Sequence, residues 1–207
     1  MLLRIVFVSV WLWLVTFGIA CSNGERKEEH MEKKGKIAMI IAPNDFRDEE
    51  YLVPKRIFEE AGYEVVTFSE TTAVSIGMLG AKVTPDKKLA DLRPEEFDAV
   101  DFVGGVGSTF YWDDTVALKV ASSAYERGKV VAAICLAPVI LANAGLLSGK
   151  NATVFKSAKG KLIEKGAKYT AADVEVAGRI ITGNGPSAAK KFAEAIIKAL
   201  EEKGSED

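Results

Sequence analysis

Val130-Val131-Ala132-Ala133-Ile134-Cys135-Leu136-Ala137-Pro138 is the stretch on which the fold turns. Its first five residues, small or β-branched and apolar, read as a strand buried on both faces. Pro138 and the apolar residues 139–142 read as a helix. Cys135 then stands on a strand-to-helix turn at the carboxyl end of a parallel sheet, with helix N-terminal amides aimed at it. Nucleophile elbows of α/β-hydrolases have this geometry. The positive end of the helix dipole favours thiolate over thiol. The competing reading is a buried cysteine that packs as a small hydrophobe, and this stretch alone leaves both open.

Working outward, residues 37–42 are a short apolar strand closed by Pro43-Asn44-Asp45. A helix follows over about 47–61, with Tyr51, Leu52, Ile57 and Phe58 on one face and Gly62 as its stop. Residues 63–68 are a second strand, and 71–91 are loop or hairpin material with an edge strand near 82–85. Residues 99–103 are another buried strand ending at Gly104-Gly105. Residues 113–127 are helical, capped by Thr115 or an aspartate at the start and Gly128 at the end. Further on come a strand over 152–155, a helix over 157–165, and a strand pair within 174–182 turning at Ala177-Gly178. Pro186 opens a last helix that runs to about 202. Strands alternating with helices predict an α/β fold, a three-layer sandwich with a mostly parallel central sheet. Ligands bind such sheets beyond the carboxyl ends of the strands. Four loops should meet there: 44–50, 104–112, the Cys135 turn and 183–186.

The 207 residues, 48% hydrophobic and 27% charged, suit one domain with an appendage. A formal net charge of -2 gives no basic field for nucleic acid. Two cysteines, Cys21 and Cys135, are too few for a disulfide framework.

The N-terminus differs from the rest. After Arg4, residues 5–20 are nearly all apolar and end in Phe17-Gly18-Ile19-Ala20-Cys21. This is the layout of a secretory signal peptide. The small residues before Cys21 resemble a bacterial lipobox, in which Cys21 is lipidated after cleavage, although Gly18 stands where such boxes usually carry Leu. The expectation is a membrane-anchored lipoprotein outside the cytoplasmic membrane. Two alternatives stay open. One is an uncleaved anchor, whose following Arg26, Lys27, Lys33, Lys34 and Lys36 would keep the domain cytoplasmic. The other is a start at Met31 and a cytoplasmic product. The expected organisation is a signal peptide or anchor over 1–20, a polar tether over 21–35, the α/β domain over 36–203 and a tail over 204–207.

Asp48-Glu49-Glu50 with Pro54 downstream, Phe102-Val103-Gly104-Gly105, Ala132-Ala133-Ile134-Cys135 and Gly185-Pro186 follow one another in order. With these motifs the chain from 36 to about 200 resembles the ThiJ/PfpI superfamily, relatives of the class I glutamine amidotransferase fold and flavodoxin-like in architecture. The resemblance implies that Cys135 is the reactive elbow cysteine and Glu50 a carboxylate hydrogen-bonded to its sulfur. It also implies an anion or oxyanion pocket from the amides of Gly105 and Leu136, and a homodimer. A carboxylic acid beside a thiolate can be held protonated and donate to the sulfur. Asp48 and Glu49 read instead as solvated helix-start carboxylates. Gly104, Tyr111, Trp112 and Asn184 are candidate pocket-lining residues. The two aromatics also fit packing against the sheet edge, and Asn184 a loop before a helix start.

The chain departs from the family in its histidines. Members described as proteases carry His after the nucleophile, where this chain has Leu136, and its only histidine is His30, in the tether. Another position where some members carry His falls at Lys156 or a neighbour. A Cys-His or Ser-His-Asp mechanism is excluded within the domain. With so few His and Cys, no metal and no cofactor are expected. Two functions remain. One is a cysteine-dependent enzyme acting on small reactive carbonyls or glycated proteins, glyoxalase- or deglycase-like. The other is a redox-sensing stress protein or holdase using Cys135 oxidation. A cysteine peptidase or amidase ranks third.

Overall fold

The computed structural model describes residues 34–204. The uninterrupted apolar runs form the middle of a sheet. β1 (Gly35–Ile40), β4 (Ala99–Phe102) and β5 (Val130–Ile134) lie side by side and parallel, flanked by β2 (Tyr63–Ser69) with β3 (Lys87–Lys88) on one side and β7 (Ile180–Gly183) with β6 (Val174–Ala177) on the other. The spatial order is β6-β7-β5-β4-β1-β2-β3, and only β6 runs antiparallel. Register runs straight across the centre, Met39 opposite Asp101 and Asp101 opposite Ala132. Helices α1 (Asp48–Glu60) and α5 (Ala189–Gly204) cover one face, where Phe58, Phe192 and Ile196 pack on Ile37, Met39, Ala132 and Ile134. Helices α2 (Thr115–Glu126), α3 (Pro138–Asn143) and α4 (Lys159–Glu164) lie over the other, where Ala117, Ala121, Ile140 and Leu162 meet Ile40, Val100 and Val131. Successive residues of β4 and β5 feed opposite layers. The three-layer α/β sandwich and the 177–178 hairpin turn stand as expected.

Chain order puts the functional edge where it can be used. After β1 the chain builds outward to β3, then returns to lay β4 against the other side of β1. Ligands bind above the strand ends at such a switch point. The loops leaving β1 and β4 touch: the Arg47 N–H donates to the Gly104 carbonyl at 3.0 Å. The loops leaving β5 and β7 touch as well, through the Cys135 N–H and the Gly183 carbonyl at 2.9 Å.

Several expectations are corrected. The expected localisation as a membrane-anchored lipoprotein is withdrawn: the described residues form an α/β sandwich, and none of its helices is long and apolar enough to cross a membrane. The proposed signal peptide, anchor and lipidated Cys21 lie outside the described residues. The tether ends earlier than expected, since Gly35 already pairs with Tyr63 and the Lys34 N–H reaches the Gly62 carbonyl at 3.0 Å. The strand over 152–155 shrinks to Asn151–Ala152, paired with Lys168–Tyr169. Asp48 is not a solvated helix-start charge: it is buried and accepts the Leu79 and Ala81 N–H groups at 2.8 and 2.7 Å. It pins the 75–83 hairpin, whose strands pair with Asn44–Phe46 in a small second sheet.

One buried group contradicts the strand that carries it. Asp101 sits in the middle of β4, fully buried, and neither carboxylate oxygen has a hydrogen-bond partner. Burial, assisted by the charge of Glu50, raises its pKa well above the usual carboxylate range. Asp101 therefore stays protonated in the fold, whereas an unfolded chain gives up that proton near pH 4. Between those limits the folded state binds the extra proton, so stability falls as pH rises. Asp101→Val removes an unsatisfied buried carboxyl and restores a β-branched residue, and should raise the unfolding free energy by about 1–3 kcal/mol. The gain should be larger at pH 8 than at pH 5 in urea denaturation. A lower midpoint, or an equal gain at both pH values, would refute the assignment of Asp101 as a neutral, unsatisfied group.

Candidate functional site

The site is built from backbone before side chains. β5 ends at Ile134, and the next residue must reverse the chain into α3. Cys135 does so with φ of 62°, one of two non-glycine residues among those described with positive φ. Such a conformation costs about 1–3 kcal/mol and persists only when the surroundings enforce it. Here the Cys135 N–H is held by the Gly183 carbonyl, and its own carbonyl accepts the Phe155 N–H at 2.8 Å. Its Cβ lies against Gly104 at the β4 exit, among the buried residues of the α1 side, and the residue is 7% exposed.

The glycines opposite are required by that approach. A Cβ on Gly104 would stand 2.5 Å from both the Cys135 Cβ and the Ile134 carbonyl oxygen, and would collide with Glu50 Oε2. Gly105 has φ of 96°, and a Cβ there would meet the Arg47 nitrogen at 2.5 Å. Freed of side chains, this loop brings the Gly105 amide to the Cys135 sulfur, and the Leu136 amide reaches it from the other side; both favour the thiolate.

Glu50 arrives from the first turn of α1 and is fully buried. Two neighbours on α1 bear on it. Tyr51 next door bonds Thr67 Oγ1 on β2 at 2.8 Å. Pro54 has no N–H for the Glu50 carbonyl four residues back, so the helix is loosened just where the carboxyl turns inward. The Glu50 carboxyl and the Cys135 sulfur interact directly.

Burial decides the charge state. It pushes Glu50 up to about 8 and the Cys135 thiol up to about 12, the Glu50 charge adding to the latter. This reverses the expectation of a thiol lowered by the helix end. α3 is only 6 residues long and begins at Pro138, and its dipole is outweighed by desolvation. The pair holds both protons at pH 7 and loses one near 8. The donors fix where the resulting charge rests. Two amides, those of Gly105 and Leu136, favour charge on the sulfur, against one, that of Gly104, which favours it on Glu50, whose oxygens lack a partner of normal hydrogen-bond geometry. Charge on sulfur with the proton on Glu50 is the better solvated arrangement. Arg47, the residue before α1, also counts. Its guanidinium bonds Glu49 at 2.7 and 3.0 Å, and its charge acts on both Glu50 and Cys135.

The remaining candidates divide. Asn184 lines a cleft of about 620 Å³ beside the elbow. Tyr111 does not line a pocket: it is buried in the core, its hydroxyl donating to the Ile41 carbonyl at 3.1 Å. Trp112 is a brace rather than a wall, its Nε1 donating to the Leu136 carbonyl at 3.0 Å, with Asn143 bonded to its own carbonyl at 2.8 Å. Among the described residues no group of three or more His, Cys, Asp or Glu side chains is placed to hold a metal ion.

Comparison with known proteins places this geometry. The model of the DJ-1/PfpI family matches residues 35–199. The uncharacterized protein MJ0967 of Methanocaldococcus jannaschii is 40% identical over 96% of this chain and 97% of its own. The deglycase PYRAB04690 of Pyrococcus abyssi is 30% identical over 78% of this chain and 98% of its own. The glutathione-independent glyoxalase DJR-1.2 of Caenorhabditis elegans is 28% identical over 79% and 87%. The crystal structure of a ThiJ/PfpI domain protein from Brachyspira murdochii superposes with a TM-score of 0.80 at 34% identity, covering 83% of this chain and 99% of that one. None of these four is described as a lipoprotein. The strained Cys135 turn, the glycines packed against it and the buried Glu50 thus sit on a chain that belongs to the DJ-1/PfpI family.

Proposed function

We propose that this chain is a cysteine-dependent enzyme acting on reactive carbonyls, such as methylglyoxal or an early glycation adduct, in the manner of a glyoxalase or deglycase. The observation that carries the reading is the convergence at one sulfur of the Gly105 and Leu136 amides with the buried, proton-holding Glu50. The names of the deglycase and glyoxalase relatives support the reaction class. In the proposed step the pair has first lost one proton to solvent; the Cys135 thiolate then adds to the carbonyl carbon and the C=O π pair moves onto oxygen. The amides steady that oxygen while Glu50 gives it a proton, leaving a neutral hemithioacetal. The ionised Glu50 is then the base for the next proton transfer. Peptide hydrolysis has less support, because no histidine lies among the described residues to protonate a leaving amine.

The first test is Glu50→Gln on the full chain. Methylglyoxal consumption should fall at least about 10²-fold, while Cys135 in the folded protein still reacts with iodoacetamide, located by peptide mass spectrometry. Turnover at the wild-type rate, or a Cys135 that labels only after unfolding, sinks the proposal. Unchanged peroxide oxidation of Cys135 with no aldehyde consumed by either protein would favour the redox sensor. The pH dependence of labelling is a second test. The wild-type rate should climb as pH rises through about 8, when the pair loses its first proton. In Glu50→Gln the thiol titrates alone in its desolvated site, so the midpoint should move up by about one unit or more; an unmoved midpoint would mean the two groups are not coupled. Gly104→Ala should cost about 1–3 kcal/mol by overpacking and displace Glu50, so that thermal stability and turnover fall together. A variant with wild-type turnover would show that the close approach of the loop is dispensable.

A further inference from the structure

The cleft beside Cys135 has a chemical character that the elbow does not dictate. Two of its lining residues connect to the Cys135 backbone, one directly and one through its chain neighbour. Phe155 donates its N–H to the Cys135 carbonyl at 2.8 Å, and Asn184 follows Gly183, whose carbonyl holds the Cys135 N–H. The volume of about 620 Å³ suits a small molecule. Phe155 and Tyr169 supply apolar surface, and the charged residues lining it are Lys156 and Lys159, with no acidic residue among the lining.

Neither lysine is neutralised by a carboxylate among the described residues. The nearby carboxylates have other partners: Asp173 pairs with Lys191 at 2.5 Å, and Glu175 accepts from Thr170 at 2.8 Å. No ion pair involves Lys156 or Lys159 among the described residues. The surrounding segment is biased in the same direction. Residues 150–168 contain six lysines and one glutamate, in a chain whose net charge is -2. A positive field confined to one wall of a cleft concentrates anions there. By contrast, the cleft lined by Val106 and Phe110 carries Asp45 as its charged residue.

We propose that this cleft selects carbonyl compounds bearing an anionic group, carboxylate or phosphate, which Lys156 and Lys159 hold while the carbonyl carbon meets Cys135. The proposal rests on Cys135 being the nucleophile. The anion is bound and not transformed; bond making is confined to the S–C bond and the proton from Glu50 described above.

The experiment compares matched substrates on the full chain: glyoxylate against methylglyoxal for the carboxylate, and glyceraldehyde 3-phosphate against glyceraldehyde for the phosphate. At low salt the anionic member of one pair should have a kcat/KM higher by about 10-fold or more, largely through KM, and the advantage should shrink with added salt. Lys156→Gln combined with Lys159→Gln should bring that ratio close to one, and the Arg versions should restore it. Which pair shows the advantage distinguishes carboxylate from phosphate. Ratios near one in the wild type, or ratios unmoved by the double Gln variant, overturn the proposal. Should no aldehyde be consumed at all, protection of Cys135 from iodoacetamide by glyoxylate or inorganic phosphate still decides it. Protection lost in the double Gln variant keeps the anion site and removes the enzymatic reading, whereas absence of protection removes the site.

Discussion

The left-handed turn at Cys135 is the constraint on which the site depends. A β-strand buried on both faces cannot carry a functional group except where it ends, and a residue at φ of 62° there is strained unless both its backbone groups are held. The Gly183 carbonyl and the Phe155 amide hold them. They come from two segments that follow α3 in the chain, so the elbow exists only once β7 has paired with β5 and the 153–155 segment has returned over the sheet. The reactive geometry is a product of tertiary closure and not of the local sequence.

That closure excludes water, and exclusion of water sets the chemistry. Two carboxyls, Glu50 and Asp101, are buried on the α1 side of the sheet, and no oxygen of either has a partner of normal hydrogen-bond geometry. Each is tolerated because a protonated carboxyl costs far less to bury than a carboxylate. Glu50 gains a use from this, since an acid that keeps its proton near neutrality can deliver it next to sulfur. Asp101 feels the charge of Glu50 but has no role in the proposed reaction, and its burial carries the cost. The thiol is subject to the same desolvation, so what makes the sulfur capable of carrying charge is the pair of amides and not the short helix behind it.

Much of the architecture was legible because buried parallel strands leave an unmistakable mark. The apolar runs around Ala38, Val100 and Ala132, each closed by Gly or Pro, could be ordered into a parallel sheet, and the loops expected to converge do converge. Cys135, Glu50 and the two glycines could be singled out by family resemblance. What could not be read were contacts made by polar groups across long separations. Asp48 looks like any helix-start acid until the hairpin amides 31 and 33 residues away are seen to bond it. Asp101 is hidden inside an apolar run that reads as strand whether or not one member is charged. Tyr111 and Trp112 could equally have been walls or braces, because aromatic residues serve both ends and only the partner atom decides.

The site also separates what must be kept from what can vary. At the sulfur, Gly104, Gly105 and Leu136 act through backbone, so the side chains that the proposed reaction demands reduce to Cys135 and Glu50. Of the residues that bound the neighbouring cleft, Phe155 meets Cys135 through its main-chain N–H, and Asn184 follows the Gly183 that holds the Cys135 amide. Under the proposed reaction, a fold arranged in this way can hold Cys135 fixed while the cleft wall is rebuilt for different carbonyl partners, so that substrate choice would be written in that wall and not at the sulfur.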